Sequence, residues 1–282
     1  MMLIFAVSAS AQFKPGIAAG YSLTIDRFDP HGFSPVVEFG VGHGFYVGPT
    51  FEYNVNEHFA IEASLLFTRE SGTIRAIPFA FAEGVNDAYR NLQDQVYDVN
   101  GFPAQGRDYD DCFDKRDIQE VAATKIRGSI STYDLRVPFV TKLKYGKLGV
   151  FAGLYLDVHM FTKIHFNAII DDGDGGRAKY TENSIEMRYA ADQAYYQVFG
   201  IERMPATEYS ADKLKTWDQV WDKGVASRVN FGGIAGVEIY FTDNVGMTVS
   251  YYHDILTNLK KSFKPAGRLY GSGVNFGLNY RF

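Results

Sequence analysis

Residues 17–25 place Ile17, Ala19, Tyr21, Leu23 and Ile25 on one side of the chain and Ala18, Gly20, Ser22 and Thr24 on the other. That is the two-residue period of an extended strand. The same period runs through residues 45–55, 59–68, 133–145, 150–160, 229–241, 245–252 and 271–282, so the pattern predicts eight strands. In each, one face is mainly apolar, and the other carries polar groups, charges or glycine. The last strand shows it plainly: Val274, Phe276, Leu278, Tyr280 and Phe282 alternate with Gly273, Asn275, Gly277, Asn279 and Arg281.

The connections alternate too. "NVNEH", "YGKLG" and "FTDNVG" are short and carry the Asn, Gly and Asp of hairpin turns. The others, residues 26–42, 76–128, 167–226 and 257–269, are long. An even-stranded meander with tight turns at one end and long loops at the other is the plan of an outer-membrane barrel. The expected fold is therefore all-β: an eight-stranded antiparallel up-and-down transmembrane β-barrel in a bacterial outer membrane. Its short turns would be periplasmic, and its long extracellular loops would carry short helices. Strands that cross a bilayer at a tilt need about 9–11 residues, which residues 271–282 supply. Phe282 would then sit at the periplasmic girdle, as an assembly signal for the barrel-assembly machinery.

A water-soluble barrel would expose the polar face, leaving Gly20, Gly48, Gly153, Gly232, Gly236, Gly246 and Gly277 bare in strand interiors. Inside a narrow eight-stranded barrel the same glycines make room for Tyr46, Phe151, Tyr155, Tyr240 and Tyr252. The apolar faces therefore point to lipid.

Composition agrees with this picture. The chain has 282 residues, 16% aromatic, with 28 glycines and two tryptophans, a balance suited to β structure. A formal charge of −5 with no basic block gives no footprint for nucleic acid. Cys112 is the single cysteine, so an intrachain disulfide and a CxxC metal or redox site are excluded. "LIFAVSASAQ" reads as the later part of an export signal cut before Gln12, lacking a charged start. Residues 1–11 are then a leader remnant, and residues 12–282 form one barrel domain. The longest uncharged apolar run after it, residues 148–156, is too short for a membrane helix of roughly 20 residues.

Parity turns Glu52, Glu62, Asp134, Arg136, Lys142, Lys144, Asp157, Glu238 and Arg281 inward. Charges withdrawn from water need partners, so these residues are expected to form a salt-bridge network that plugs the lumen. Asp157 and His159 share that face, with Ser250 on another strand, and together sketch an acid–histidine–nucleophile set. A packed lumen histidine is the plainer expectation. In the long connections, Tyr89, Leu92, Val96 and Val99, and then Ile118, Val121 and Ala122, recur at helical spacing. "DYDDCFD" and "DDGDGG" gather carboxylates without the spacing of a calcium loop. Leu214, Trp217 and Trp221 form a helical stripe on the barrel rim; Trp217 and Trp221 are taken as a loop binding surface, or as packing against the barrel. No metal site or cofactor is expected.

"YDLRVPFVTKLKYGKLGVFAGLYLDV", with "GIAAGYSLTI", "FGGIAGVEIYF", "YYHDILTNL" and "FGLNYRF", resembles the strands of PorT-like outer-membrane β-barrel proteins of Bacteroidetes. The likeness covers the strands and not the two longest loops, and carries no catalytic residues. It implies a membrane barrel, and one branch of that family is linked to a secretion system. The functional expectation is a non-enzymatic barrel, plugged inside, whose outer loops bind or assemble with other outer-membrane or secretion-system proteins. The rival is a surface or lipid-modifying hydrolase.

Overall fold

The computed structural model describes residues 13–30, 37–76, 125–171, 177–184, 187–188, 191–192, 195, 213–260 and 267–282. These form β1 (Phe13–Pro30), β2 (Val37–Asn54), β3 (Phe59–Ser64), β4 (Leu66–Ala76), β5 (Lys125–Tyr145), β6 (Leu148–Asp171), β7 (Arg177–Thr181), β8 (Val229–Tyr240), β9 (Val245–Asp254) and β10 (Gly267–Arg281). A single helical turn, α1 (Trp217–Val220), precedes β8 and runs into a π-turn over Trp221–Val225.

All the pairings are antiparallel, and β10 returns to β1, for example at Gly20 opposite Gly277. β3 and β4 make one crossing, interrupted at Leu65 opposite Pro49. The Leu65 N–H donates to the Pro49 carbonyl at 3.0 Å, but Pro49 has no N–H to return, so half a rung is missing. β7 pairs only with the outer end of β6. What remains is a closed ring of eight strands. The register from Pro15 through Phe51, Ala63, Phe139, Leu154, Gly233, His253 and Ser272 comes back to β1 at Ile25. A stagger of that size tilts the strands roughly 40°.

The apolar faces point outward. Ile17, Phe45, Phe139, Leu154, Ile239 and Leu278 are exposed, while Tyr155 and Tyr252 in the lumen are each 1% exposed. Aromatic rings bracket this belt. Phe45, Phe67, Tyr133 and Phe161 meet in a continuous row across β2, β4, β5 and β6. At the opposite end Phe13 stacks on Phe51, His58 on Tyr145, and Tyr280 meets Phe282 edge-on. From Tyr145 up to Tyr133 the tilted strand covers roughly 30 Å of depth, the thickness of a hydrocarbon core. Only helices and closed barrels satisfy their backbones in lipid, and an even-stranded single-chain barrel with this belt belongs to the bacterial outer membrane.

Several expectations shift in detail. The strands run past the bilayer: β1 continues to Pro30, β2 begins at Val37, β5 begins at Lys125 and β6 reaches Asp171. Beyond the lipid the outward face turns polar while Ile130, Ile164, Phe166 and Ala168 are buried on the inward face, so the apolar set changes sides while backbone pairing continues. The leader, the helical spacings at residues 89–99 and 118–122, and the acidic stretch 108–114 lie outside the described residues. Asp171 closes β6, and Asp172 and Asp174 lie outside them too.

The lumen glycines are paired with aromatic rings. A Cβ on Gly277 or Gly20 would collide with the Tyr46 phenol, one on Gly232 with the Tyr155 ring, and one on Gly236 with Phe151. Gly48 and Gly153 instead face neighbouring backbone carbonyls. Gly277→Ala is therefore expected to cost about 1–3 kcal/mol by overpacking, read as a lower urea midpoint for unfolding from micelles. Because the hydroxyl of Tyr46 is the nearest atom, adding Tyr46→Phe to that variant should recover part of the loss. Gly277→Ala with wild-type stability contradicts the packing.

Candidate functional site

The lumen charges separate into two layers. Near the periplasmic mouth, β2, β3, β5, β8 and β10 bring together Glu52, Glu62, Lys142, Lys144, Glu238 and Arg281. Lys142 Nζ lies 2.6 Å from Glu62, 2.9 Å from Glu238 and 3.5 Å from Glu52. Lys144 reaches Glu52 at 2.5 Å, and Arg281 contacts Glu238 at 2.5 Å and Glu52 at 3.3 Å. Three carboxylates meet three cations, and Asn279 donates a further bond to Glu238. Removing one partner from such a set leaves a buried charge uncompensated, a loss of about 3–5 kcal/mol.

The upper layer is built around Arg136. Its Nε and Nη2 donate to both oxygens of Asp157, its Nη1 lies 3.0 Å from Glu70, and its guanidinium lies against the Tyr155 and Tyr252 rings, which meet each other edge-on. Asp254 is equally tied down: it accepts from Tyr155 Oη, from the Gly271 N–H and from Asn258 Nδ2. Above them His159 Nδ1 lies 2.8 Å from Asp134, and Nε2 lies 3.0 Å from Asp222. Both ring nitrogens thus face carboxylates. Between these groups lies a cavity of about 70 Å³ lined by Glu70, Asp134, Arg136, Asp157, His159 and Trp221. That is room for about two waters. A second cavity of about 60 Å³ lies between the layers, and the periplasmic mouth opens into a vestibule of about 600 Å³.

The segment 213–226 caps the extracellular end. Thr216 accepts from the Gln219 N–H, and the Gln219 side chain accepts from the Thr216 N–H, a capping box that starts α1. Asp218 then accepts from the Ile164 N–H at 2.7 Å, and Asp222 meets His159. Trp217 packs edge-on to Phe166, and Trp221 lines the upper cavity. Of the two expectations for these tryptophans, the geometry realises packing against the barrel; both are half-buried. Burial pushes the Asp222 carboxyl up, yet hydrogen bonds from His159 and Thr162 hold it below its ordinary value.

All nine lumen charges read from parity face inward, in these two layers. Parity reading stopped short of Glu70 and Asp254, each two residues beyond an inward position already identified; extending the alternation by one step finds both. Asp222 carries no such signal, because its partner lies on another element. Asp157 and His159 do not form an acid–base pair, since Arg136 occupies Asp157. Ser250 lines the middle cavity, and its hydroxyl is not bonded to His159. Thr162 Oγ1 stands 3.2 Å from His159 Nε2 but is 1% exposed, and that nitrogen also serves Asp222. Among the described residues no group of His, Cys, Asp and Glu is placed to hold a metal. Phe282 is exposed, and its N–H donates to the Pro15 carbonyl at the ring's seam.

No family model matches the chain, and no curated protein does. Among solved structures, Ail of Yersinia pestis in complex with the heparin analogue sucrose octasulfate is 11% identical, at a TM-score of 0.37, over 96% of this chain and 99% of that one. Neisserial surface protein A is 10% identical, at 0.35, over 96% and 97%. The outer-membrane protein OprG of Pseudomonas aeruginosa is 8% identical, at 0.29, over 96% and 94%. The ring and its lipid-facing belt carry the architecture without them.

Both tryptophans of the chain sit in the cap, so their emission reports its seating. The folded state holds Asp222 below its unfolded value of about 3.9. Its stabilisation is therefore complete above that value and lost as pH falls through the folded one. Emission should stay constant from neutrality to about pH 5 and shift red below about 4. Asp222→Asn should show the shifted emission at neutral pH and lose the acid step; an unaltered step in that variant contradicts the His159–Asp222 latch.

Proposed function

We propose that the chain is a non-enzymatic outer-membrane barrel, closed to passage, which acts through its extracellular loops as a binding or assembly component. One observation carries this reading: the lumen holds two layers of paired charges and is capped by the segment bearing Trp217 and Trp221. With transport through the middle blocked, the surface left to act is the polar sequence outside the membrane. The absence of an open histidine–nucleophile pair among the described residues favours binding over hydrolysis.

The PorT-like strand segments extend the proposal to a place beside other outer-membrane or secretion-system proteins. Phe282, exposed at the periplasmic rim, is proposed as the element that the barrel-assembly machinery reads. In planar bilayers the purified chain is expected to show negligible conductance; stable channels of porin size would overturn the closed-lumen reading. Replacing residues 77–124 with a short turn should leave an intact barrel that no longer retains partners recovered with the full chain from native membranes. Equal recovery by both forms would move the function away from that loop.

A further inference from the structure

Above the row Phe45–Phe67–Tyr133–Phe161, the outer face of β4, β5 and β6 changes character. Within β6 a bulge at Met160 leaves both Met160 and Phe161 facing out, and the following outward positions are Lys163, His165 and Asn167. On β5 the outward positions above Tyr133 are Ser131, Ser129 and Arg127; on β4 they are Arg69, Ser71 and Thr73. The register sets Arg69 beside Tyr133, Ser131 beside Lys163, and Arg127 beside Asn167. Cations and hydroxyls thus replace apolar groups within one step of the aromatic row.

The signs of charge are segregated across the wall. Among the outward positions of the barrel strands whose side chains are described, none is a carboxylate. On the inner side Glu70 follows Arg69 by one residue, and Asp134 and Asp157 lie just below the aromatic row. Arg69 donates to Ser131 Oγ at 3.2 Å and lies over the Tyr133 ring at 5.9 Å, which holds it against the belt. It has no carboxylate partner among the described residues, and its Nε is enclosed without a hydrogen-bond acceptor. Arg127 is exposed and likewise has no acidic partner among them. Lys163 and His165 each meet one carboxylate, Asp218 of α1 and Glu182 after β7, so among the described residues the cations of this face without an acidic partner are the two arginines. With the tilted rise per residue, the patch extends roughly 5–15 Å above the aromatic row.

We propose that this face binds the phosphorylated headgroup of an outer-leaflet glycolipid. Guanidinium groups match phosphate geometry, and basic residues at this depth attract anionic headgroups. The exposed Thr73 and half-buried Ser129 hydroxyls suit sugar oxygens, Ser131 being buried and bonded to Arg69, and the aromatic row below offers acyl chains a smooth wall. The inference is independent of what the loops bind.

The test reconstitutes the full chain in phosphatidylcholine nanodiscs doped with diphosphorylated lipid A, or with the same lipid after enzymatic removal of its phosphates. Lipid retained after mild detergent extraction is counted by native mass spectrometry. The phosphorylated form should be retained roughly tenfold better, and the Arg69→Gln/Arg127→Gln double variant should lose that preference. An unchanged heat-dependent gel shift would show the variant folded; Arg127→Gln alone, at an exposed site, serves if it is not. Millimolar inorganic phosphate should leave the lipid in place, and displacement by it would assign the arginines to free phosphate and overturn the lipid site. Equal retention of the two lipids, or a preference surviving in the variants, also overturns it.

Discussion

Inside hydrocarbon every peptide group must find its partner in the protein, because each unsatisfied one costs several kcal/mol. For a chain made of strands, this demand has one solution: the last strand must pair with the first. β10 on β1 meets it, from Gly16 opposite Arg281 to Pro30 opposite Gly267. Closure then fixes much else. Eight strands at this stagger enclose a space only a few side chains wide, so tyrosines need glycines opposite them. The alternate residues, turned away from lipid, must satisfy one another's charges in that same space.

The two charge layers solve this in different ways. The periplasmic layer closes on itself: Lys142 sits among three carboxylates, and Arg281 and Lys144 balance the remainder. The upper layer holds more carboxylates than Arg136 can answer, and it is completed from above. His159 spans Asp134 on the wall and Asp222 on the cap, so the segment that seals the lumen is latched by the layer it covers. On the outer wall the cations Arg69, Arg127 and Lys163 face away from these acids. The barrel thus keeps its acids on the inner side and, among the described residues, its unpaired cations on the outer side around the upper aromatic row.

Much of this was legible along the chain because the period of a strand is two, and burial of either face pins the register. Parity placed Glu52, Glu62, Lys142, Glu238 and Arg281 in the lumen, and it matched Gly20 and Gly277 to the need for aromatic room. The outward apolar pattern ended where lipid stopped. In the outer part of β5, before Tyr133, and the end of β6 the alternation continues with the apolar set turned inward, where Ile130, Ile164, Phe166 and Ala168 are buried, so the lipid-facing pattern reverses there instead of extending. The bulge at Met160 was hidden for a related reason: it inserts one residue and inverts parity from Phe161 onward. The latch between His159 and Asp222 joins residues 63 apart in sequence, and no local pattern encodes such a contact. The helical spacing of Leu214, Trp217 and Trp221 did reveal an apolar stripe, though a single α-turn followed by a π-turn packs it inward.

The orientation of the alternating faces is tested most directly on β10. With Cys112 replaced by serine, single cysteines at positions 274 to 280 would carry a nitroxide label in vesicles, and accessibility to oxygen dissolved in lipid would be measured. High accessibility at 274, 276, 278 and 280, with low values at 275, 277 and 279, is the expected result. The opposite alternation, or a uniform profile, would contradict a barrel whose apolar face meets the membrane.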